Sequence, residues 1–166
     1  MLKSIQSGTY HTEDTTDSIP ISEVDVDKSF VTVSYNGYSL SSHDDHEGMV
    51  QAHIEDSGDE IYIYRYAGGS FSPFEADISW FVTEYEDGVN VQVVTGSITG
   101  NLQNTHTISE VNEDRTYLIV WTAGRNNPSH AHPKVWLEDE TTIKAERYDD
   151  EYPGTWYSIQ VIEILE

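Results

Sequence analysis

The sequence of 166 residues predicts an all-β protein built as two tandem six-stranded antiparallel β-sandwich modules, residues 1–86 and 87–166. Three observations predict it. Apolar and polar residues alternate along short runs rich in β-branched and aromatic side chains, no segment has helical periodicity, and one half of the chain repeats the other.

The elements follow in order. Alternation predicts strands near 3–10, 19–24, 29–35, 49–55, 60–66 and 77–85 in the first half, and near 89–98, 105–111, 116–122, 134–139, 141–148 and 155–165 in the second. Val89, Val91 and Val93 alternate with Asn90 and Gln92, and Tyr157, Ile159 and Val161 alternate with Ser158 and Gln160, so one face of each run turns inward. Asn36-Gly37, Ser57-Gly58, Gly68-Gly69, Asp87-Gly88 and Pro153-Gly154 supply residues that accept turn dihedrals.

The repeat is legible directly. Residues 21–35 read ISEVDVDKSFVTVSY and residues 108–122 read ISEVNEDRTYLIVWT. The correspondence extends outward and pairs Gln6 with Gln92, Glu55-Asp56 with Glu138-Asp139, and Arg65-Tyr66 with Arg147-Tyr148. Ile78, Trp80, Val82 and Glu84 fall on Tyr157, Ile159, Val161 and Glu163. The junction Glu86-Asp87-Gly88 is too short for a flexible linker, so the two copies are expected to touch.

Charge narrows the function. Eight basic residues stand against 30 acidic ones, a formal net charge of −22 spread over both halves. Such a surface repels itself in dilute buffer, whereas molar salt shortens the screening length to about 3 Å and relieves the repulsion. Concentrated salt is the expected solvent. The same field excludes nucleic acid as a partner, because phosphate binding needs clustered Lys and Arg. Aromatics at 11% and hydrophobic residues at 37% argue for a folded chain. With no cysteine, neither a disulfide framework nor a thiolate metal site is available. No signal peptide and no membrane-spanning run is read in the sequence, which predicts a protein made in the cytoplasm.

The segments Ile5-Gln6-Ser7-Gly8-Thr9 and Val26-Asp27-Lys28-Ser29-Phe30-Val31, the strand-end Arg65 and Arg147, and the closings ISWFVTEYEDG and YSIQVIEIL resemble the H-type lectin fold as it recurs in virion proteins of tailed viruses. The resemblance covers both halves. It implies a homotrimer, hence six modules around one axis, and contacts with other virion proteins. With the acidity, it implies a head decoration, turret or tail component on the virion surface of a haloarchaeal virus, attached to host surface glycan. An architectural virion protein without ligand and a free halophilic lectin are the alternatives. Stretches 36–48 and 123–133 match no ligand motif of the family, so no sugar contact is carried over by position.

No nucleophile elbow, phosphate loop or Ser/His/Asp signature is present, and the expectation is a protein that is not an enzyme. Arg65 with Tyr66, and Arg147 with Tyr148, are the candidate ligand-binding residues, because a scarce cation recurs at matching places and a guanidinium fork suits carboxylates and sugar hydroxyls. The competing reading is an internal ion pair in each half. Tyr62, Tyr64 and Tyr152 join Tyr66 and Tyr148 as rings for stacking on a sugar or packing between sheets. His43, Asp45 and His46 are a candidate divalent-cation set within His43-Asp44-Asp45-His46-Glu47, and His130-Ala131-His132 is a weaker one. The competing reading for both is a solvated loop. No cofactor is expected beyond such a cation.

Overall fold

A computed structural model describes residues 1–38, 49–65, 75–99, 102–124, 132–147 and 154–165. The chain is all-β. Among the described residues twelve strands run in order: β1 (Leu2–Thr12), β2 (Thr16–Pro20), β3 (Ser29–Tyr38), β4 (Val50–Ile54), β5 (Glu60–Arg65), β6 (Glu75–Tyr85), β7 (Val89–Ile98), β8 (Gln103–Thr107), β9 (Thr116–Gly124), β10 (Lys134–Asp139), β11 (Thr142–Glu146) and β12 (Thr155–Ile164). They form four antiparallel three-stranded sheets, ordered β1-β6-β3, β2-β5-β4, β7-β12-β9 and β10-β11-β8. The first two sheets come from residues 2–85 and the last two from residues 89–164, with strands in the same relative order.

Each half encloses a core drawn from both of its sheets. Val31, Val33, Ile78, Trp80 and Val82 meet Ile19, Val50, Ala52, Ile54, Ile61 and Ile63 in the first. Ile159, Tyr157 and Val161 meet Ile143 and Ala145 in the second. Burial alternates along β6, where Ala76, Ile78, Trp80, Val82 and Glu84 point inward, as the period of two requires.

Matching residues make matching bonds. The Gln6 side chain accepts from Ser22 N–H at 2.7 Å and donates to the Ser22 carbonyl at 2.8 Å, and Gln92 does the same with Ser109 at 2.7 and 3.1 Å. Glu84 accepts from Asp25 N–H at 3.0 Å, as Glu163 does from Asn112 N–H at 2.8 Å. Burial pushes the Glu84 carboxyl up, but hydrogen bonds from Lys3, Asp25 N–H and Ser4 outweigh it and hold the group below the usual range.

The halves are in contact, as the short junction requires. On β12 the alternation seen in β6 disappears, and Ser158, Gln160 and Ile162 are buried as fully as Tyr157, Ile159 and Val161. Gln160 reaches the edge strand β3, accepting from Val31 N–H and donating to the Val31 carbonyl, each at 2.8 Å. Ser158 Oγ donates to the Ala52 carbonyl of β4 at 2.7 Å. A third apolar cluster, Val89, Val91 and Ile162 with Phe30, Tyr85 and Ile119, closes the contact beside the junction.

Three strand expectations are corrected. β2 and β8 lie earlier than the alternation indicates, at Thr16–Pro20 and Gln103–Thr107 instead of 19–24 and 105–111. The Ile-Ser-Glu-Val runs that follow are not strand. Their Ile21, Val24, Ile108 and Val111 N–H groups donate instead to the β-turns at Gly58-Asp59 and Glu140-Thr141. One-turn 3-10 helices at Val26–Lys28 and Glu113–Arg115 then redirect the chain into β3 and β9, and neither was visible as a pattern. The strand expected at 141–148 is shorter, Thr142–Glu146.

Candidate functional site

A crevice of about 500 Å³ opens where the halves meet. Its walls are Gln51 and His53 on β4 with Glu55 just after it, Tyr62 and Tyr64 on β5, the Thr95-Gly96-Ser97 stretch of β7, and Trp156 on β12. The period of two explains the lining. Ala52 and Ile54, and Ile61 and Ile63, are buried in the core, so the alternate residues of β4 and β5 project from the opposite face. Trp156 lies on the face of β12 that also carries Ser158 and Gln160, which brings the second half against that surface.

The rings are arranged in pairs. His53 and Tyr62 have centroids 5.0 Å apart and tilted by 42°, and Tyr64 and Trp156 lie at 5.8 Å and 51°. Burial lowers the His53 pKa against the opposing pull of Glu55 and Asp56, so its neutral, ring-stacking form is favoured. Aromatic faces next to an amide, a carboxylate and hydroxyls give a surface that takes an apolar ring edge and hydrogen-bonds the hydroxyls around it.

Arg65 and Arg147 are not part of this crevice. Arg65 is 2% exposed and its Nε donates to the Asp14 carbonyl at 2.7 Å, with Nη2 on the same oxygen. These two bonds tie the guanidinium to main chain in the turn between β1 and β2, with the Asp14 and Asp17 carboxylates also acting on it. Arg147 is equally buried and its N–H donates to the Leu102 carbonyl at 2.8 Å, matching the Arg65 N–H bond to the Thr15 carbonyl. It borders a cavity of about 320 Å³ with Leu102, His132, Lys134 and Glu146.

Tyr66, Tyr148, Tyr152, His43, Asp45, His46 and His130 lie outside the described residues. Among the described residues no group of three or more His, Asp or Glu is placed to hold a metal ion. His132 Nδ1 is 3.1 Å from Thr122 Oγ1. No helix among the described residues is long and apolar enough to cross a membrane.

Tyr62 and Tyr64 were legible as candidate rings. Gln51, His53, Glu55 and Trp156 were not, because their convergence depends on how the two halves dock and no spacing within either half encodes it. The chain matches no protein-family model, no curated protein and no solved structure.

Proposed function

We propose that this chain is a structural surface protein of two tandem sandwich modules that assembles with copies of itself and holds a saccharide in the crevice between the modules. The crevice carries the reading: two aromatic pairs, an amide, a carboxylate and hydroxyls line one opening of about 500 Å³. A sugar offers complementary chemistry, with an apolar C–H face for a ring and hydroxyls for Gln51, Glu55 and Ser97.

The setting proposed is the virion surface of a tailed virus of a halophilic host, with the saccharide belonging to the host surface. It is supported by the formal charge of −22 and by the H-type lectin resemblance of both halves. The burial of the two recurring arginines, Arg65 and Arg147, favours one alternative, a purely architectural virion protein.

Titration of the protein with host surface glycans in about 3 M salt, where screening is strong, separates the two. Saturable binding is expected, and Tyr62→Ala should weaken it about three- to tenfold, the factor matching the ~0.5–1.5 kcal/mol of one ring contact. Absence of binding to any host glycan would leave the architectural reading.

A further inference from the structure

The two halves correspond position by position, yet their surfaces are used unequally. The second half presents the outer face of sheet β7-β12-β9 to the first, and the first presents its β3 and β4 edges in return. This contact is heterologous, one face against a different edge. It leaves one of each over: the outer face of sheet β1-β6-β3 in the first half, and the free edges of β9 and β10 in the second, although β9 already meets the first half through Ile119 and Trp121.

Those two leftover surfaces carry the hallmarks of an unfilled version of the same contact. In the filled one, Val91 and Ile162 pack on Phe30 and Tyr85. The position matching Val91 is Ile5, 59% exposed, while Lys3 and Thr83 stand where Val89 and Ile162 do; those matching Phe30 and Tyr85 are Tyr117 and Ile164, exposed by 43% and 45%. Phe81, which occupies the place of Gln160, is 50% exposed. Ser79 repeats Ser158, the residue that hydrogen-bonds the β4 edge.

The cores agree. Val31, Val33 and Ala52 of the first half are sealed beneath β12, whereas their counterparts Leu118, Val120 and Val135 are only half-buried. The second core is open at the side where the first is closed.

We propose that a second copy of this chain fills the gap: the β1-β6-β3 face of one chain, through Ile5, Ser79 and Phe81, docks on the β9 and β10 edge of the next, around Tyr117, Val135 and Ile164. Because the contact is heterologous and each chain owns one face and one edge, it repeats from chain to chain, as a ring if the rotation between chains closes and as an open filament if it does not. It deepens the assembly part of the reading above and does not depend on saccharide binding.

Charge makes the contact salt-requiring. Where Tyr64 meets Trp156 within the chain, the corresponding residues between chains are Glu146 and Asp77. Asp77 already pairs with His11 in its own chain, and the Glu146 carboxylate adds negative charge to the contact that concentrated salt screens.

Ile5 and Tyr117 are both exposed, so Ile5→Glu and Tyr117→Glu place a charge in the interface, and because Tyr117 also lies near Tyr85 of the first half, circular dichroism checks that each variant keeps its fold. Molar mass by light scattering in about 3 M salt reads the outcome. The unsubstituted chain is expected as a multiple of 18.8 kDa, and each variant as a single chain. An equimolar mixture of the two variants should form a two-chain species, because the intact face of one variant meets the intact edge of the other. Variants that still assemble, or a mixture that stays single-chain, would overturn this interface while leaving assembly by another route. An unsubstituted chain that is single at every salt concentration would overturn both the interface and the assembly reading.

Discussion

Gln160 bonds the Val31 N–H and carbonyl at once, in place of the neighbouring strand that the β3 edge lacks. Gln160→Ala strands both backbone groups in a buried site, and at about 1–3 kcal/mol for each the loss should reach roughly 2–5 kcal/mol by denaturant unfolding in high salt. Nothing in the sequence signals this role, since Gln160 sits on the polar parity of its strand and its counterpart is Phe81. The recurring arginines were legible as special, and their burial follows from sharing parity with Ile61, Ile63, Ile143 and Ala145. What alternation could not show is that a carbonyl accepts from Arg65. Titration is the other residue-scale consequence. Burial lowers the pKa of His106, whose Nε2 lies 2.6 Å from the Tyr157 hydroxyl, and of His53. The unfolded chain then binds more protons below about pH 6.5, so this stability is complete above that pH and is lost as pH falls toward the folded pKa values. His106→Gln should flatten part of that slope, measured as unfolding free energy against pH. Glu84, with its depressed pKa, adds a second loss at lower pH, below about 4.3.

At the scale of elements, pairing across strands shows how the two copies diverged without changing shape. In the first half Trp80 lies opposite Gly8 and Ile78 opposite Tyr10, whereas in the second Tyr157 lies opposite Gly96 and Ile159 opposite Val94. The bulky ring moved by one pair and the glycine moved with it, because a Cβ at Gly8 would come within 2.8 Å of Trp80 and one at Gly96 within 2.7 Å of the Tyr157 hydroxyl. Ten of the twelve strands were legible to within a few residues, since two-residue alternation is strong wherever one face is buried. β2 and β8 were displaced because apolar Ile21, Val24, Ile108 and Val111 enter the core or its margin from irregular backbone. Turn glycines separate by surroundings. Gly58 has φ +77° and its Cβ would collide with the Val24 carbonyl, whereas Gly88 has φ +80° and open space around it. Gly58→Ala should therefore cost about 2–3 kcal/mol and Gly88→Ala about 1 kcal/mol, compared by thermal or denaturant unfolding.

For the whole molecule, the sheets, the acidity and the unequal surfaces belong to one account. Thirty carboxylates keep the surface hydrated and self-repelling, and apolar Ile5, Phe81, Tyr117 and Ile164 interrupt that surface at matching places. Four exposed hydrophobic residues at positions equivalent to an internal contact are the pattern of a chain that completes its packing with its own kind. In the proposed assembly, repulsion between copies would set the condition, and that condition would be salt. The direct measurement is molar mass by light scattering as salt is lowered stepwise from about 3 M to about 0.1 M, where the screening length grows from under 3 Å to about 10 Å. The account predicts an oligomer at high salt that dissociates or unfolds on dilution. A mass of one chain throughout, with unchanged stability in dilute buffer, would contradict it.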